Sequence, residues 1–278
     1  MPLSLTRRRF LATAVGALGA AAAGDGFLVE PGAVQVTRHD IPVAGLAPPL
    51  DGLRIACVTD VHLSHGVPRS GHVTLERLAH ERPDVVVLIG DICNAWEDLA
   101  TLAAWSRHAR GSAAAFATLG NWEHSAGIDR SRAERAYAQA GVELLYNSTG
   151  RVTRGGATLT FVGLDDPVQG TPDLAAGLAT VRSGEQTIWI VHAPGYVDGV
   201  PRDAAPRPAA ILTGHTHGGQ IRLPFWTPYT PVGSGRFVAG WYRDTIAPLY
   251  VSRGIGTISA PVRLFCPPEL PIFTLRAG

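Results

Sequence analysis

From Asp51 onward the chain repeats one pattern: a short continuous apolar run that stops abruptly at polar residues. "LRIACVTDVHLS", "PDVVVLIGDICN", "AAFATLGNWEHS", "QTIWIVHAPG" and "AAILTGHTHGG" all have it. Continuous runs of this length read as strands buried on both faces. Between the first three lie stretches of helical composition, "VTLERLAHERP" and "WEDLATLAAWSRHAR". A further one, "SRAERAYAQAG", follows the third strand and ends at Gly141, placed to cap it. Strand followed by helix, repeated, predicts an α/β sheet. After Gly141 the pattern turns to strands and turns, with Arg154-Gly155-Gly156-Ala157 as a hairpin corner, so a second sheet is expected. "LYVSRGIGT" and "LPIFTLRAG" read as strands too. The expected chain is two packed sheets flanked by helices over residues 51–278. Residues 24–50 precede them as an extended lead-in holding one edge strand in "AVQVTRHDIPV".

The N-terminus has its own layout. Arg7, Arg8 and Arg9 precede an apolar run from Phe10 to Ala23 that ends in small residues, as an export signal does. The order Thr6-Arg7-Arg8-Arg9-Phe10-Leu11 resembles a twin-arginine signal, which implies the export machinery as a partner and an exported protein, periplasmic or on the outer face of the cytoplasmic membrane. Residues 1–23 are therefore expected to be a signal peptide, with cleavage near Ala21-Ala22-Ala23. The competing reading is a membrane anchor or an amphipathic helix; against an anchor, the run is short of the roughly 20 residues a span needs. Without cleavage the protein stays tethered to the outer face of the membrane.

Composition adds exclusions. Among 278 residues the formal net charge is +1, too little for the broad basic field that recruits nucleic acid. Cys57, Cys93 and Cys266 sit in apolar contexts without zinc-ribbon spacing and read as buried or free thiols.

The chemistry lies where the apolar runs end, since ligands of open α/β sheets bind past the carboxyl ends of the strands. Asp60 and His62 follow the first run, Asp91 the second, Asn121 the third, His192 the fourth, and His215 with His217 the fifth. Each alone is explained by a cap, a turn or a satisfied core histidine. Together they are seven metal-ligand types directed at one crevice, if the strands are parallel neighbours. Three oxygen donors and four imidazoles suit Mn, Fe, Zn or Co rather than calcium or copper(I). Seven side chains exceed one tetrahedral site and suit two metals sharing a carboxylate, roughly 3.5–4 Å apart. The one-residue spacing of His215 and His217 would point both the same way from an extended segment, one to each ion.

The ordered set "TDVH", "GDICN", "GNWEH", "VHAP" and "GHTHGGQ" resembles the calcineurin-like metallophosphoesterase superfamily. "GHTHGGQIRLP" with "LYVSRGIGT" and "CPPEL" is similar to its bacterial exported or membrane-associated branch, whose members act on phosphodiesters or on UDP-diacylglucosamine. The resemblance implies a four-layer α/β/β/α sandwich of two mixed β-sheets flanked by helices. It also implies a phosphoester substrate, here a phosphodiester or lipid-linked phosphate at the cell envelope, and two divalent metal ions with a bridging hydroxide. By motif, one metal would take Asp60, His62 and His217, the other Asn121, His192 and His215, with Asp91 bridging.

Two positions depart from the family. Trp122 stands where the family has a histidine that contacts phosphate or protonates the leaving group; His124 is the expected substitute, with Glu123 and His65 as other candidates. Asn94 replaces a common aspartate and is expected to hydrogen-bond a ligand. Asp165 and Asp166 read equally as a turn before Pro167, and Arg222 and Arg253 as phosphate clamps or surface pairs. Other hydrolase classes fail on the sequence. No Gly-x-Ser-x-Gly elbow occurs, and "HERPD" has Asp84 where a zinc protease helix needs its second histidine. Two readings compete with a phosphodiesterase: a metal-holding envelope protein that lost its chemistry with Trp122, and a UDP-diacylglucosamine-type pyrophosphate hydrolase.

Overall fold

A computed structural model describes residues 7–278. In chain order the elements are α1 (Arg7–Gly24), β1 (Gln35–Val43), β2 (Arg54–Val58), α2 (Arg69–Glu81), β3 (Val85–Ile89), α3 (Leu99–Arg110), β4 (Ala114–Thr118), α4 (Asn121–Ser125), α5 (Arg130–Ala140) and β5 (Glu143–Leu144). They continue with β6 (Ser148–Arg154), β7 (Ala157–Gly163), α6 (Leu174–Leu178), β8 (Gln186–Ile190), β9 (Ala210–Thr213), β10 (Gly240–Tyr242), β11 (Leu249–Val251) and β12 (Glu269–Ala277). The strands form two mixed six-stranded sheets, in the orders β1-β12-β2-β3-β4-β5 and β10-β11-β9-β8-β7-β6.

The period-two alternation of each strand divides the apolar side chains among three layers. In β2 and β3, Ile55, Cys57, Val85, Val87 and Ile89 join Phe161, Ile188, Ile190 and Leu212 of the other sheet in the inter-sheet core. Ala56, Val58, Val86 and Leu88 face the other way, where Trp105 of α3 and Tyr137 of α5 cover them. Outside the second sheet, Trp189, Ile211 and Val251 pack with Phe237, Val197 and Leu178. This makes the molecule a four-layer α/β sandwich whose layer over the second sheet is thin, with the five-residue α6 and short turns as its helical parts. All three cysteines are buried and unpaired among the described residues.

The local signals act as their chemistry requires. Gly141 ends α5 with φ 70°, and Gly155 and Gly156, both at positive φ, form the two-residue turn that pairs Arg154 with Ala157. The lead-in belongs to the folded unit: β1 pairs in parallel with β12 over its whole length, and Ile41, Val43 and Leu50 are buried in the inter-sheet core.

The Thr6 end of the twin-arginine match lies outside the described residues. From Leu11 a helical stretch runs for 22 residues to Gly32, long and apolar enough to cross a membrane and almost wholly exposed. It does not stop at Ala23, because Phe27, Leu28 and Val29 continue the apolar character past the single charge of Asp25.

Candidate metal centre

The strand ends that carry the candidate ligands are divided between the sheets. β2, β3 and β4 lead to Asp60, His62, Asp91 and Asn121, while β8 and β9 lead to His192, His215 and His217. The crevice is therefore the gap between two sheets, rather than the end of one row of parallel strands. Two groups form across it. Asp60, His62 and His217 each offer a ligand atom within 4.8 Å of the others, and so do Asp91, His192 and His215; all six are buried. Asp91 Oδ2 stands between the groups, 3.1 Å from His192 Nε2 and 3.9 Å from His62 Nε2. Asn121, at the start of α4, lines the same cavity of about 360 Å³ as Asp91, His215 and His217.

Backbone conformation does the aiming. Asp60, His62, Asp91, His215 and His217 hold φ of 56°, 54°, 53°, 69° and 51°. This left-handed region costs a non-glycine residue roughly 1–2 kcal/mol, though Asp and His enter it more readily than most. Such a residue at a strand's end breaks the pleat and turns its side chain into the gap. The expectation of an extended His215-Thr216-His217 is thus corrected. Two left-handed residues flank a right-handed Thr216 (φ −77°, ψ −18°), and the chain passes straight into a turn at His217–Gly219. The two rings then go to different groups, His217 with Asp60 and His215 with Asp91.

Close approach requires glycine beside these residues. A Cβ on Gly120 would lie 2.3 Å from Asp91 Oδ1, and one on Gly214 would lie 2.0 Å from Thr59 Oγ1 and 2.6 Å from Asp60 Oδ2.

A set of outer partners fixes the rings. His62 Nδ1 donates to Asn94 Oδ1 at 2.7 Å, and His192 Nδ1 donates to the Ile89 carbonyl at 2.8 Å, leaving each Nε2 directed at the centre. His215 is the reverse: Nε2 donates to the Val232 carbonyl at 2.8 Å and Nδ1 faces inward. Asp60 accepts from the Thr59 hydroxyl and the His215 amide. Asp91 Oδ1 accepts from the Trp122 amide at 2.8 Å.

Whether divalent ions fit can be read from what the protein leaves unsatisfied. Asn121 Oδ1 is buried without a hydrogen-bond partner among the described residues. The inward nitrogens approach one another, His62 Nε2 to His217 Nε2 at 3.1 Å and His215 Nδ1 to His192 Nε2 at 3.2 Å. Converging lone pairs beside buried carboxylates are what a cation satisfies. Burial pushes the His215 imidazole down to about 4 and that of His217 well below its ordinary value, so both are neutral at pH 7, as metal ligation requires. Burial pushes the Asp60 carboxyl up. On Asp91 burial acts in the same direction, but the neighbouring His192 prevails and holds it down at about 2; against burial, the same contact raises the His192 imidazole, whose proton a bound ion would have to displace. The donor set fits two divalent cations.

The proton-donor candidates are placed elsewhere. Trp122, edge-on to His62 with ring centroids 5.4 Å apart, lines the cavity with Ser125. His124 is turned to Asp165, Nε2 to Oδ1 at 2.7 Å, and is not brought to the cavity wall. Glu123 is buried, and its carboxylate accepts from the amides of Asp91, Ile92, Cys93 and Gly120. It acts as the clamp that sets the backbone of the Asp91 loop. The sequence signal for this role is its position three residues after Gly120 at a helix start, where a carboxylate caps free amides. His65 is exposed, with its amide bonded to Asp98.

Asp165 and Asp166 are both buried. Asp165 accepts from the Thr171 amide and Asp166 from the amides of Val168 and Gln169, so each organises the turn around Pro167. Arg253 pairs with Glu269. Arg263, which no sequence pattern singled out, is fully buried and donates to the carbonyls of Arg253, Gly254, Gly256 and Cys266 behind the His217 turn.

Two sheets packed face to face, with a double group of aspartate and histidine at the strand ends, define a metal-dependent hydrolase with a dinuclear site. Residues 53–219 match the calcineurin-like phosphoesterase family model, and the chain belongs to that family as a metal-dependent phosphoesterase. It is 30% identical to the uncharacterized metallophosphoesterase YkuE of Bacillus subtilis strain 168, over 98% of both chains. It is 28% identical to the phosphodiesterase YaeI of Escherichia coli strain K12, over 98% of this chain and 99% of that one. A transmembrane protein with metallophosphoesterase domain from Bos taurus is 28% identical, across 87% of this chain and 57% of that protein.

Proposed function

We propose that this protein is a dinuclear-metal phosphodiesterase acting on a phosphodiester or lipid-linked phosphate at the outer face of the cytoplasmic membrane. The observation that carries the reading is Asp91 Oδ2, placed between two buried three-residue groups. In the proposal Asp60, His62 and His217 would hold one ion, Asn121, His192 and His215 the other, and Asp91 would be shared between them. Bound there, two dications supply a water acidified towards neutral pH and neutralise phosphoryl oxygens. Asn94, Ile89 and Val232 hold the rings in the tautomers this needs. Trp122, beside His62, bounds the cavity and restricts how an ester can enter. The phosphodiesterase name of the Escherichia coli relative supports the reaction class. The export part rests on Arg7, Arg8 and Arg9 ahead of the exposed apolar helix.

A specific observation favours a second reading, the pyrophosphate hydrolase. His124 is occupied by Asp165 and Trp122 fills the family's histidine position, so no histidine outside the proposed metal ligands lines the cavity among the described residues. A phosphate leaving group departs without the proton that an alkoxide needs.

The test is hydrolysis of matched aryl phosphate monoesters, diesters and a pyrophosphate diester by metal-stripped protein, with Mn, Fe, Zn or Co added back. Diester turnover that requires metal and falls at least about 10³-fold in His215→Ala is expected. Turnover that survives chelation or the substitution would exclude the two-metal reading.

A further inference from the structure

The surface beside the cavity mouth is unusually apolar. Residues 223–235, "LPFWTPYTPVGSG", contain no charged side chain, and Leu223, Phe225, Trp226, Tyr229 and Val232 are exposed. At its tip Leu223 and Trp226 pair across a two-residue turn, bonded at 2.8 and 3.1 Å, with Pro224 and Phe225 at the corner. Phe225 occupies the corner that glycine or asparagine normally takes, at φ 67°, and is 108% exposed. An aromatic residue in this region is a backbone outlier, and its side chain gains no burial within the chain that would offset the strain.

This loop is tied to the apolar N-terminal helix. The Arg222 amide donates to the Leu264 carbonyl at 2.8 Å, and the Leu264 amide to that of Gln220 at 3.0 Å. One residue on, the Phe265 amide donates to the buried carboxylate of Glu30 at 2.9 Å, as does that of Cys266. The Arg263 amide reaches the Gly26 carbonyl at 2.9 Å. The base of the 11–32 helix, the exposed Phe265 and the 221–226 hairpin are thus one hydrogen-bonded unit. The same loop walls the cavity: Tyr229 and Pro231, with Ile258 and Ser259 of a separate segment, line both the candidate metal cavity and an adjoining pocket of about 310 Å³ next to His217.

We propose that Leu223, Phe225, Trp226 and Phe265 form a rim that inserts into the lipid surface beside the N-terminal helix, seating the cavity mouth on the bilayer. The occupant is a membrane because the patch is uncharged, carries aromatic groups suited to the headgroup boundary, and is fastened to a helix long and apolar enough to cross one. The rim favours phosphoesters presented by the bilayer over those in solution; this preference, but not the insertion, rests on the phosphodiesterase reading above.

The full chain, reconstituted in phosphatidylcholine and phosphatidylglycerol vesicles, separates the two. With lipids brominated along the acyl chain, wild-type tryptophan emission is quenched, and Trp226→Phe is expected to lose most of that quenching. Equal quenching in wild type and Trp226→Phe, or none in either, overturns the insertion. Phe225→Ser/Trp226→Ser is then assayed on a soluble aryl phosphodiester and on a phosphodiester lipid in the vesicles. Soluble turnover within twofold of wild type with a tenfold or greater loss on the vesicle substrate is expected. Equal loss on both, or no loss on either, overturns the preference. Absence of turnover on both by wild type overturns the phosphodiesterase reading and the preference with it, and leaves the quenching result to decide insertion.

Discussion

Asn94 shows how much a single side chain outside the proposed ligand set carries. Its oxygen fixes the His62 tautomer, so Asn94→Leu removes the acceptor and frees the ring to turn or exchange its proton. Metal affinity is expected to fall about 10–100-fold with the fold unchanged, read by chelator competition; unaltered affinity would mean that packing alone orients His62. His124 and Asp165 make a different prediction. The hydrogen bond with Asp165 raises the imidazole above its ordinary 6.5. Burial opposes ionisation of Asp165, yet the bond from His124 holds the carboxyl below its ordinary 3.8. The pair's stabilisation is therefore complete above pH 3.8 and below pH 6.5. It fades as pH rises through the folded value of His124 or falls through that of Asp165. The difference in melting temperature between wild type and His124→Ala should be larger at about pH 5 than at about pH 9; a difference constant with pH would count against the pairing.

At the level of elements, the strand ends decide what the site can be. Five of the seven proposed ligands follow a strand through a left-handed residue, which a strand-and-helix reading of the sequence does not reveal. The strands themselves were legible because burial on both faces makes their runs continuous, and the Gly155-Gly156 corner because its turn type demands glycine. The assignment of three strands to one sheet and two to the other was not legible, since pairing depends on contacts distant in sequence. The role of Glu123 was hidden for a related reason: its partners, Asp91 to Cys93, are some thirty residues away. Close packing of the β4–α4 junction on the Asp91 loop gives a test. Gly120→Ala forces a methyl against Asp91 and should lower stability by about 1–3 kcal/mol along with metal content. A variant that loses neither would show that the loop yields at little cost.

Across the whole molecule, two sheets with different partners are held at one spacing by the inter-sheet core of Ile55, Val87, Phe161, Ile190 and Leu212, and the candidate centre lies in the gap at their ends. Neither sheet carries enough donors alone. Asp60, His62, Asp91 and Asn121 come from one, and three histidines from the other, so packing of the sheets and assembly of the centre are one event. The bridging role proposed for Asp91 is the part of this arrangement on which a dinuclear reaction would depend. The most direct measurement is the metal-to-protein ratio of the purified, Mn- or Zn-loaded chain by elemental mass spectrometry, taken beside phosphodiester turnover, for wild type and Asp91→Ala. Two ions per wild-type chain are expected, with both occupancy and turnover collapsing in the variant. One ion per wild-type chain with full turnover, or an Asp91→Ala protein that keeps two ions and its rate, would contradict the shared-carboxylate centre.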